Sequence, residues 1–296
     1  MIYILTSIVT LLVIFGIYGC KTLSIPKYEG PITDHFDGKK FHNIGGNEMG
    51  SFRKLMAYQF SNRAKNWPNL VEQSDQATPN IIPRITDGIA YKQINHATIL
   101  IQHAGLNILT DPVFSKRASP FEWMGPKRKR NPSIQIEDLP EIDVIVISHD
   151  HYDHFDVKSL KKLSEKHNCK ILVGLGLKAF LDKFDISNVI EMDWNDIHLY
   201  NNVEFIFHSA VHWSNRMASP YSSLWGSWII KTEEKTIYFA VDTAYGDHFK
   251  EIKDTYKQID LALIPIGAYV PRFFMQHVHM APEDAFQAHI DLQPTE

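Results

Sequence analysis

The 296-residue sequence predicts an α/β chain in which two β-sheets pack together with helices on their outer faces. Three observations carry that expectation. Short apolar runs dominate from Ala90 onward, helical spacing appears in only a few places, and Glu233-Glu234-Lys235 between two apolar runs reads as a hairpin turn. Antiparallel pairs therefore mix with helical crossovers, and sheet packed on sheet with helices outside accommodates both.

The predicted strands are Ala97 to Gln102, Leu106 to Thr110, Asp143 to Ser148, Lys170 to Val173, Val203 to Phe207, Ser227 to Lys231, Thr236 to Val241 and Ile259 to Ile266. Helical spacing appears at Val157, Leu160 and Leu163, with Asp156 as N-cap, and again over Leu177 to Phe184 and Pro282 to Ile290. Ahead of this region, residues 25–85 are rich in Gly, Asn, Lys and aromatics, lack periodicity, and end in the loop-like Thr78 to Pro83. They read as an extension packed on a main domain spanning residues 86–296.

Residues 1–24 differ in kind. Ile2 to Tyr18 carries no charge and reads as a membrane anchor or signal-like segment, an uncleaved anchor being preferred because no basic residue precedes it. Lys21 and Lys27 follow the apolar run, which by the positive-inside rule places the body on the cytoplasmic side of a bacterial inner membrane. Lipidation at Cys20 is the rival reading.

Composition excludes some classes. The chain is 44% hydrophobic and 22% charged with a net charge of −4, so it has no overall basic field that would suggest nucleic acid as a partner. Two cysteines, Cys20 and Cys169, cannot build a disulfide framework, and Cys169 reads as a small buried hydrophobe.

The chemistry concentrates in His149-Asp150-His151-Tyr152-Asp153-His154, directly after the apolar Val144 to Ile147. His149 and His151 lie two apart, which puts them on different sides of a helix but on one side of extended chain. They can therefore leave the end of a buried strand toward one ion while Asp153 and His154 turn toward a second. Imidazole with carboxylate suits zinc, with iron or manganese as alternatives. A two-ion site needs ligands from other strand ends, and His208, His212 and Asp242 each follow one. Asp242 is placed to bridge two ions. Asp111, after Leu109-Thr110, reads as an acceptor that holds a ligand imidazole in its tautomer, or else as a turn aspartate before Pro112.

His149-Asp150-His151-Tyr152-Asp153-His154 resembles the HxHxDH signature of the metallo-β-lactamase superfamily. Longer stretches narrow this: Leu109 to Ser115, Met124 to Arg128, Val211-His212-Trp213, Leu224 to Trp228, Asp242 to Tyr245 and Ile266 to Tyr269 are similar to N-acylphosphatidylethanolamine-hydrolysing phospholipase D and its bacterial relatives. The resemblance runs from about Ile85 to Glu296. It implies a four-layer αββα sandwich, one zinc on His149, His151 and His212, a second on Asp153 and His154, and Asp242 bridging them. His279 matches a site histidine of that family that is not itself a ligand. The family takes a last zinc ligand from a His-Trp-Gly type segment beyond the stretch matching Ala285 to His289, so this sequence, ending at Glu296, is expected to lack that ligand and the last strand segment.

The resemblance further implies cleavage of a phospholipid phosphodiester by water activated between two zinc ions, with phospholipid and membrane as partners and a homodimer left open. Rival readings are a hydrolase of a soluble lactone, sugar phosphate or cyclic phosphodiester on the same scaffold, and a non-catalytic membrane-bound binding protein. Phe121, Trp123, Phe273 and Phe274 are candidates for an apolar patch beside a lipid site. The run Lys127-Arg128-Lys129-Arg130 reads as a solvated face or as a contact for anionic headgroups. His42, His96, His103, His167, His208, His248, His277 and His289 read as surface or core residues, His96 being the one that opens a strand and lies closest to the expected site.

Overall fold

The computed structural model describes residues 22–46, 52–61, 83–217 and 219–296. The proposed anchor, Ile2 to Tyr18 with Cys20, lies outside the described residues. No helix among the described residues is long and apolar enough to cross a membrane.

A short helix, α1 (Phe52–Ser61), precedes the main body. The first sheet contains β1 (Ile89–Asn95), β2 (Thr98–His103), β3 (Leu106–Thr110), β4 (Val144–Val146), β5 (Lys170–Gly174) and β6 (Val189–Met192), side by side in that order. Its first three strands are antiparallel and β3 to β6 are parallel, with α2 (Val157–His167) and α3 (Lys178–Leu181) in the crossovers. The second sheet is built from β7 (Ile197–Tyr200), β8 (Val203–His208), β11 (Ser227–Lys231), β12 (Thr236–Phe239) and β13 (Leu261–Leu263). Its order is β13-β12-β11-β8-β7, and only β12 with β13 is parallel. A two-residue pair, β9 (Asn215–Arg216) and β10 (Ser219–Pro220), stands apart. Helices α4 (His248–Tyr256), α5 (Arg272–Met275) and α6 (Pro282–Leu292) complete the chain.

Alternation along the strands sorts side chains into layers. Val144 and Val146 of β4 face inward, joining Ile99, Ile101, Phe205, Phe207, Trp228 and Ile230 in the core between the sheets. Ile145 and the following Ile147 face outward onto Leu160 and Leu163 of α2 and Phe180 of α3. On the far side, Ile206, Ile229 and Tyr238 pack on Phe249 and Ile252 of α4 and Leu292 of α6. The result is a mixed α/β sandwich of helix, sheet, sheet and helix. Strands covered on both faces are apolar almost throughout, which is why their runs stand out in the sequence.

The extension is anchored by its aromatics: Phe36 and Phe41 are fully buried in the core between the sheets. The hairpin at Glu233-Glu234-Lys235 forms, with the Thr232 amide donating to the Lys235 carbonyl at 2.8 Å. At the outer edge of β13, the Glu296 amide donates to Asp260 and its carbonyl accepts from Ala262, a parallel ladder pattern.

Several element expectations need correction. β1, β6 and β7 lie in segments where polar residues interrupt the apolar pattern, as in Ile89-Ala90-Tyr91-Lys92-Gln93-Ile94-Asn95, of which Tyr91, Lys92 and Gln93 are exposed. The stretches Asp143 to Ser148 and Ile259 to Ile266 hold only three strand residues each; Ile147 stays buried past the end of β4, whereas Ile266 past the end of β13 is exposed. Leu177 to Phe184 is a four-residue helix followed by a 3₁₀ turn. Asp156 stands at the N-cap of α2, but its carboxylate accepts from Ser115 N–H and the Ser159 hydroxyl instead of the helix backbone.

Candidate metal centre

Strand ends of both sheets meet at one place. β3 runs into Asp111 and β4 into residues 148–154; β8 leads to His212 and β12 to Asp242, while His279 arrives on the loop between α5 and α6. Every residue singled out above as a ligand or its neighbour, namely His149, His151, Asp153, His154, His212, Asp242, Asp111 and His279, therefore lies in one cluster. Four overlapping triads in it have ligand atoms within 4.8 Å of one another: His149, His151 and His212; His96, Asp153 and His154; His149, His154 and Asp242; and His212, Asp242 and His279. Asp242 belongs to two of them, so it links the two ends.

Hydrogen bonds on the far ring nitrogens assign the tautomers. Asp111, with no exposed surface, accepts from the Ser148 amide at 2.8 Å, the Ser148 hydroxyl at 2.6 Å and His154 Nδ1–H at 2.8 Å. Since the Ser148 hydroxyl gives its proton to Asp111, its oxygen accepts from His149 Nδ1–H, at 2.8 Å. His212 Nδ1–H donates to the Val278 carbonyl at 2.8 Å. The Nε2 lone pairs of His149, His154 and His212 are thereby left facing inward.

Those lone pairs test whether a metal fits. His151 Nδ1 lies 2.9 Å from His149 Nε2 and 3.4 Å from His212 Nε2. A single ring proton can serve only one of the two contacts, so at least one buried acceptor faces another without a donor between them. A cation takes all three lone pairs at once, and three nitrogens with nearby carboxylates are a donor set that zinc, iron or manganese accepts. The residues present fit such a group.

Electrostatics agree. Burial and the neighbouring rings hold His149 and His212 well below the ordinary imidazole value, and burial brings His151 down to about 4, so these rings are neutral ligands at pH 7. His154 goes the other way: burial lowers it, but Asp242 and Asp111 outweigh that and raise it well above the ordinary value. Burial likewise raises Asp242, yet His154 outweighs it and the carboxyl stays well below its usual range. These acids draw positive charge toward His154, and a cation at Nε2 would supply it in place of a proton.

The loop holding these ligands is braced from below by Arg216, which is 4% exposed. Its Nη1 donates to the carbonyls of Asp150 and Phe155, each at 3.0 Å, spanning both ends of the motif, and its guanidinium stacks 4.2 Å from the Tyr152 ring centroid. Asp150 in turn accepts from the Asn215 amide and the Ser223 hydroxyl. Asn43 of the extension grips the His212 backbone from both sides, donating to its carbonyl at 2.9 Å and accepting from its amide at 3.2 Å.

His96 changes role. Its Nε2 lies 3.3 Å from His154 Nε2 and 3.5 Å from Asp153 Oδ2, and its φ of +26° in the β1–β2 turn is unusual for a residue with a side chain. The other histidines stay outside the cluster; His103, for example, donates Nδ1–H to the Gly88 carbonyl at 2.7 Å. Cys169 is buried, which pushes its thiol up to about 12.

A cavity of about 760 Å³ opens onto the ligands. His96, His151, Asp153, Asp242 and His279 line it together with Ile99, Phe239, Val241, Leu263, Ile264 and Met275.

A family model described as a beta-lactamase superfamily domain matches residues 106–296, the part of the chain that carries this cluster. The chain belongs to the metallo-β-lactamase superfamily. An uncharacterized protein of Mycobacterium tuberculosis is 36% identical over 218 residues, covering 73% of this chain and 58% of the relative, so the chain spans little more than half the length of that protein. The N-acyl-phosphatidylethanolamine-hydrolyzing phospholipase D 1 of Caenorhabditis elegans is 34% identical over 276 residues, covering 85% of this chain and 75% of the relative. Among solved structures, a metallo hydrolase of Ignicoccus hospitalis superposes with a TM-score of 0.52 at 20% identity, covering 70% of this chain and 79% of the other. That likeness concerns the metallo-β-lactamase fold alone.

Sequence reasoning missed Arg216 and Asn43; it set His96 apart from the other histidines as the one nearest the expected site, and its ring does lie beside His154 and Asp153. Nothing local marks the first two: an arginine and an asparagine in polar stretches look solvated, and only the tertiary fold buries them.

Proposed function

We propose that this chain is a two-zinc phosphodiesterase of the phospholipase D type, hydrolysing N-acylphosphatidylethanolamine or a related phospholipid. The observation that carries the reading is an apolar cavity of about 760 Å³ opening directly onto a ligand cluster of metal-hydrolase type. The C. elegans relative named for this reaction supports it. A polar soluble substrate would have no use for Ile99, Val241, Leu263 and Ile264 beside the reacting group, whereas an acyl chain would.

His149, His151 and His212 would hold one ion, Asp153 and His154 the other, with Asp242 between them. Bound there, two such ions neutralise phosphate charge and lower the pKa of a water toward ~7. The protein's own residues do the rest. Asp111 fixes the two imidazoles that reach it directly or through Ser148, Arg216 holds the loop rigid, and the apolar wall excludes water around the substrate. His279, with Nδ1 3.7 Å from Asp242 Oδ2 and lining the cavity, would donate a hydrogen bond to a phosphate oxygen as a neutral imidazole, since burial lowers its pKa. Attachment through residues 2–18 would keep the enzyme at the surface where its substrate lies.

The test is metal analysis of the purified protein followed by turnover of a mixed phospholipid extract, scored by the mass of the released headgroup. Two ions per chain with release of phosphatidate and an alcohol or amide is the expected result. A metal-loaded protein that releases no headgroup but opens lactones or cyclic diesters would overturn it.

A further inference from the structure

The basic run 127–130 plays no part in the reading above, and the structure gives it a definite place. Residues 116–128 form a hairpin in which Arg117 bridges Lys127, the Ala118 amide donates to Pro126 and the Arg128 amide to Lys116, both at 3.0 Å. Gly125 at its turn has φ +96°, and a Cβ there would come within 2.6 Å of Ser119 Cβ, so the reversal requires glycine. Ser115 N–H donates to Asp156 Oδ2 at 2.9 Å, which ties the base of the hairpin to the ligand loop two residues past His154.

Two guanidiniums are used inside the hairpin. Arg117 donates to the carbonyls of Glu122 and Gly125, and Arg128 to those of Val113 and Ser115. Lys127, Lys129 and Arg130 are different: all are exposed, and among the described residues none pairs with a carboxylate. All three line a cavity of about 370 Å³ that is also lined by His96 and Asp153. His96 and Asp153 also line the apolar cavity, so the edge of the metal centre is shared between a basic arm and an apolar arm. Uncompensated cations converging on one small cavity repel one another, and an anion between them relieves that repulsion.

We propose that the basic arm is an anion-binding subsite for a phosphate monoester or comparable dianion, held by Lys127, Lys129 and Arg130 beside the reacting phosphodiester; its part in turnover rests on the phosphodiesterase reading. Arg130 supplies a fork that matches two phosphate oxygens, and the lysines supply mobile point charges. The dianion has two sources, a second phosphate on the substrate itself or the headgroup of a neighbouring lipid.

The test compares the metal-loaded wild type with the triple variant Lys127→Gln, Lys129→Gln, Arg130→Gln, whose substituted side chains are exposed and leave the hairpin bonds intact. Calorimetry measures the Kd of two water-soluble lipids below their micellar concentrations, dibutyrylphosphatidylinositol and its 4-phosphate. Sedimentation measures binding to phosphatidylcholine vesicles with and without phosphatidate. If the substrate carries the dianion, the variant weakens binding of the 4-phosphate by about tenfold or more and leaves the parent lipid unchanged. If a neighbouring lipid carries it, both soluble lipids are unaffected and binding to phosphatidate vesicles falls by about the same factor. Unchanged Kd values together with unchanged vesicle binding overturn the proposal. Hydrolysis of either soluble lipid, followed separately, tests the phosphodiesterase reading, and its failure would leave the binding results to decide the subsite.

Discussion

At Asp111 a single carboxylate accepts three hydrogen bonds and through them sets the protonation of two imidazoles, His154 directly and His149 by way of Ser148. Asp111→Asn keeps the shape but presents an NH2 where an acceptor is needed, so one of those donors loses its partner. Metal affinity should fall about 10–100-fold, read by titrating zinc into each protein, with the circular dichroism spectrum unchanged. Equal affinities would show that the rings keep their orientation without the carboxylate. The ligands themselves were legible in the sequence because a metal demands particular atoms at strand ends, and His149, His151, Asp153 and His154 announce that demand within six residues. His96 was legible only as a neighbour of the site, since a lone histidine opening a strand is ordinary until the fold brings it 3.3 Å from His154. Asn43 acts on His212 across 169 positions, a distance over which one sequence gives no signal.

Elements behave according to how they are fastened at their ends. The ligand loop between β4 and α2 hangs on Arg216, so Arg216→Met, which keeps the apolar stem and removes the donors, should leave the Asp150 and Phe155 carbonyls unpaired. The expected cost is roughly 2–5 kcal/mol in urea unfolding, at about 1–3 kcal/mol for each buried acceptor. Arg216→Lys should not restore it, because an ammonium cannot reproduce the flat stack on Tyr152; full rescue by lysine would mean charge alone matters. The start of β13 is fastened by Asp260, which accepts from the Thr236 amide at 2.9 Å and Lys235 Nζ at 2.8 Å. Burial raises this carboxyl, but Lys235, Thr236 and Gln258 outweigh it and hold it below the ordinary value. A carboxyl whose folded pKa is depressed stabilises the protein above its unfolded value, near ~3.9, and loses that contribution as pH falls through the folded one. Asp260→Asn should therefore cost about 1–3 kcal/mol at neutral pH, with the gap to wild type closing in acid below about pH 4; a gap that widened in acid would contradict the assignment. Strand existence was readable where both faces are covered, as at β4, β8 and β11. It was obscured at β1, whose partial exposure mixes polar side chains into the pattern, and at β7, a four-residue strand whose exposed side chains are Ile197 and Leu199.

For the molecule as a whole, the layer order followed from the run lengths and the hairpin, and the extension read as packed on the main domain, whereas the burial of Phe36 and Phe41 in its core did not follow, because they sit in a stretch without periodicity. The two halves of the candidate site come from different sheets: His149 to His154 from the first, His212 and Asp242 from the second. An ion held by both adds its binding free energy to the folded state, about 4 kcal/mol at a thousandfold excess over Kd. Chelation should therefore lower the melting temperature by on the order of ten degrees, at roughly 2–4 °C per kcal/mol for a chain of this size. Scanning calorimetry with and without EDTA checks this, and an unchanged transition would place the ligands elsewhere.

The same division has a kinetic side. Gly226 N–H donates to the Ser148 carbonyl at 3.0 Å, so the sheets close on each other right beside the ligand loop. Each sheet can collapse on its own helices with its share of the ligands in place, but the coordination shell exists only after the two have docked. An interaction formed after the folding barrier slows escape from the native state without hastening its formation. Added zinc should thus lengthen the native lifetime, seen as a slower unfolding limb in denaturant jumps, while the refolding limb stays where it was.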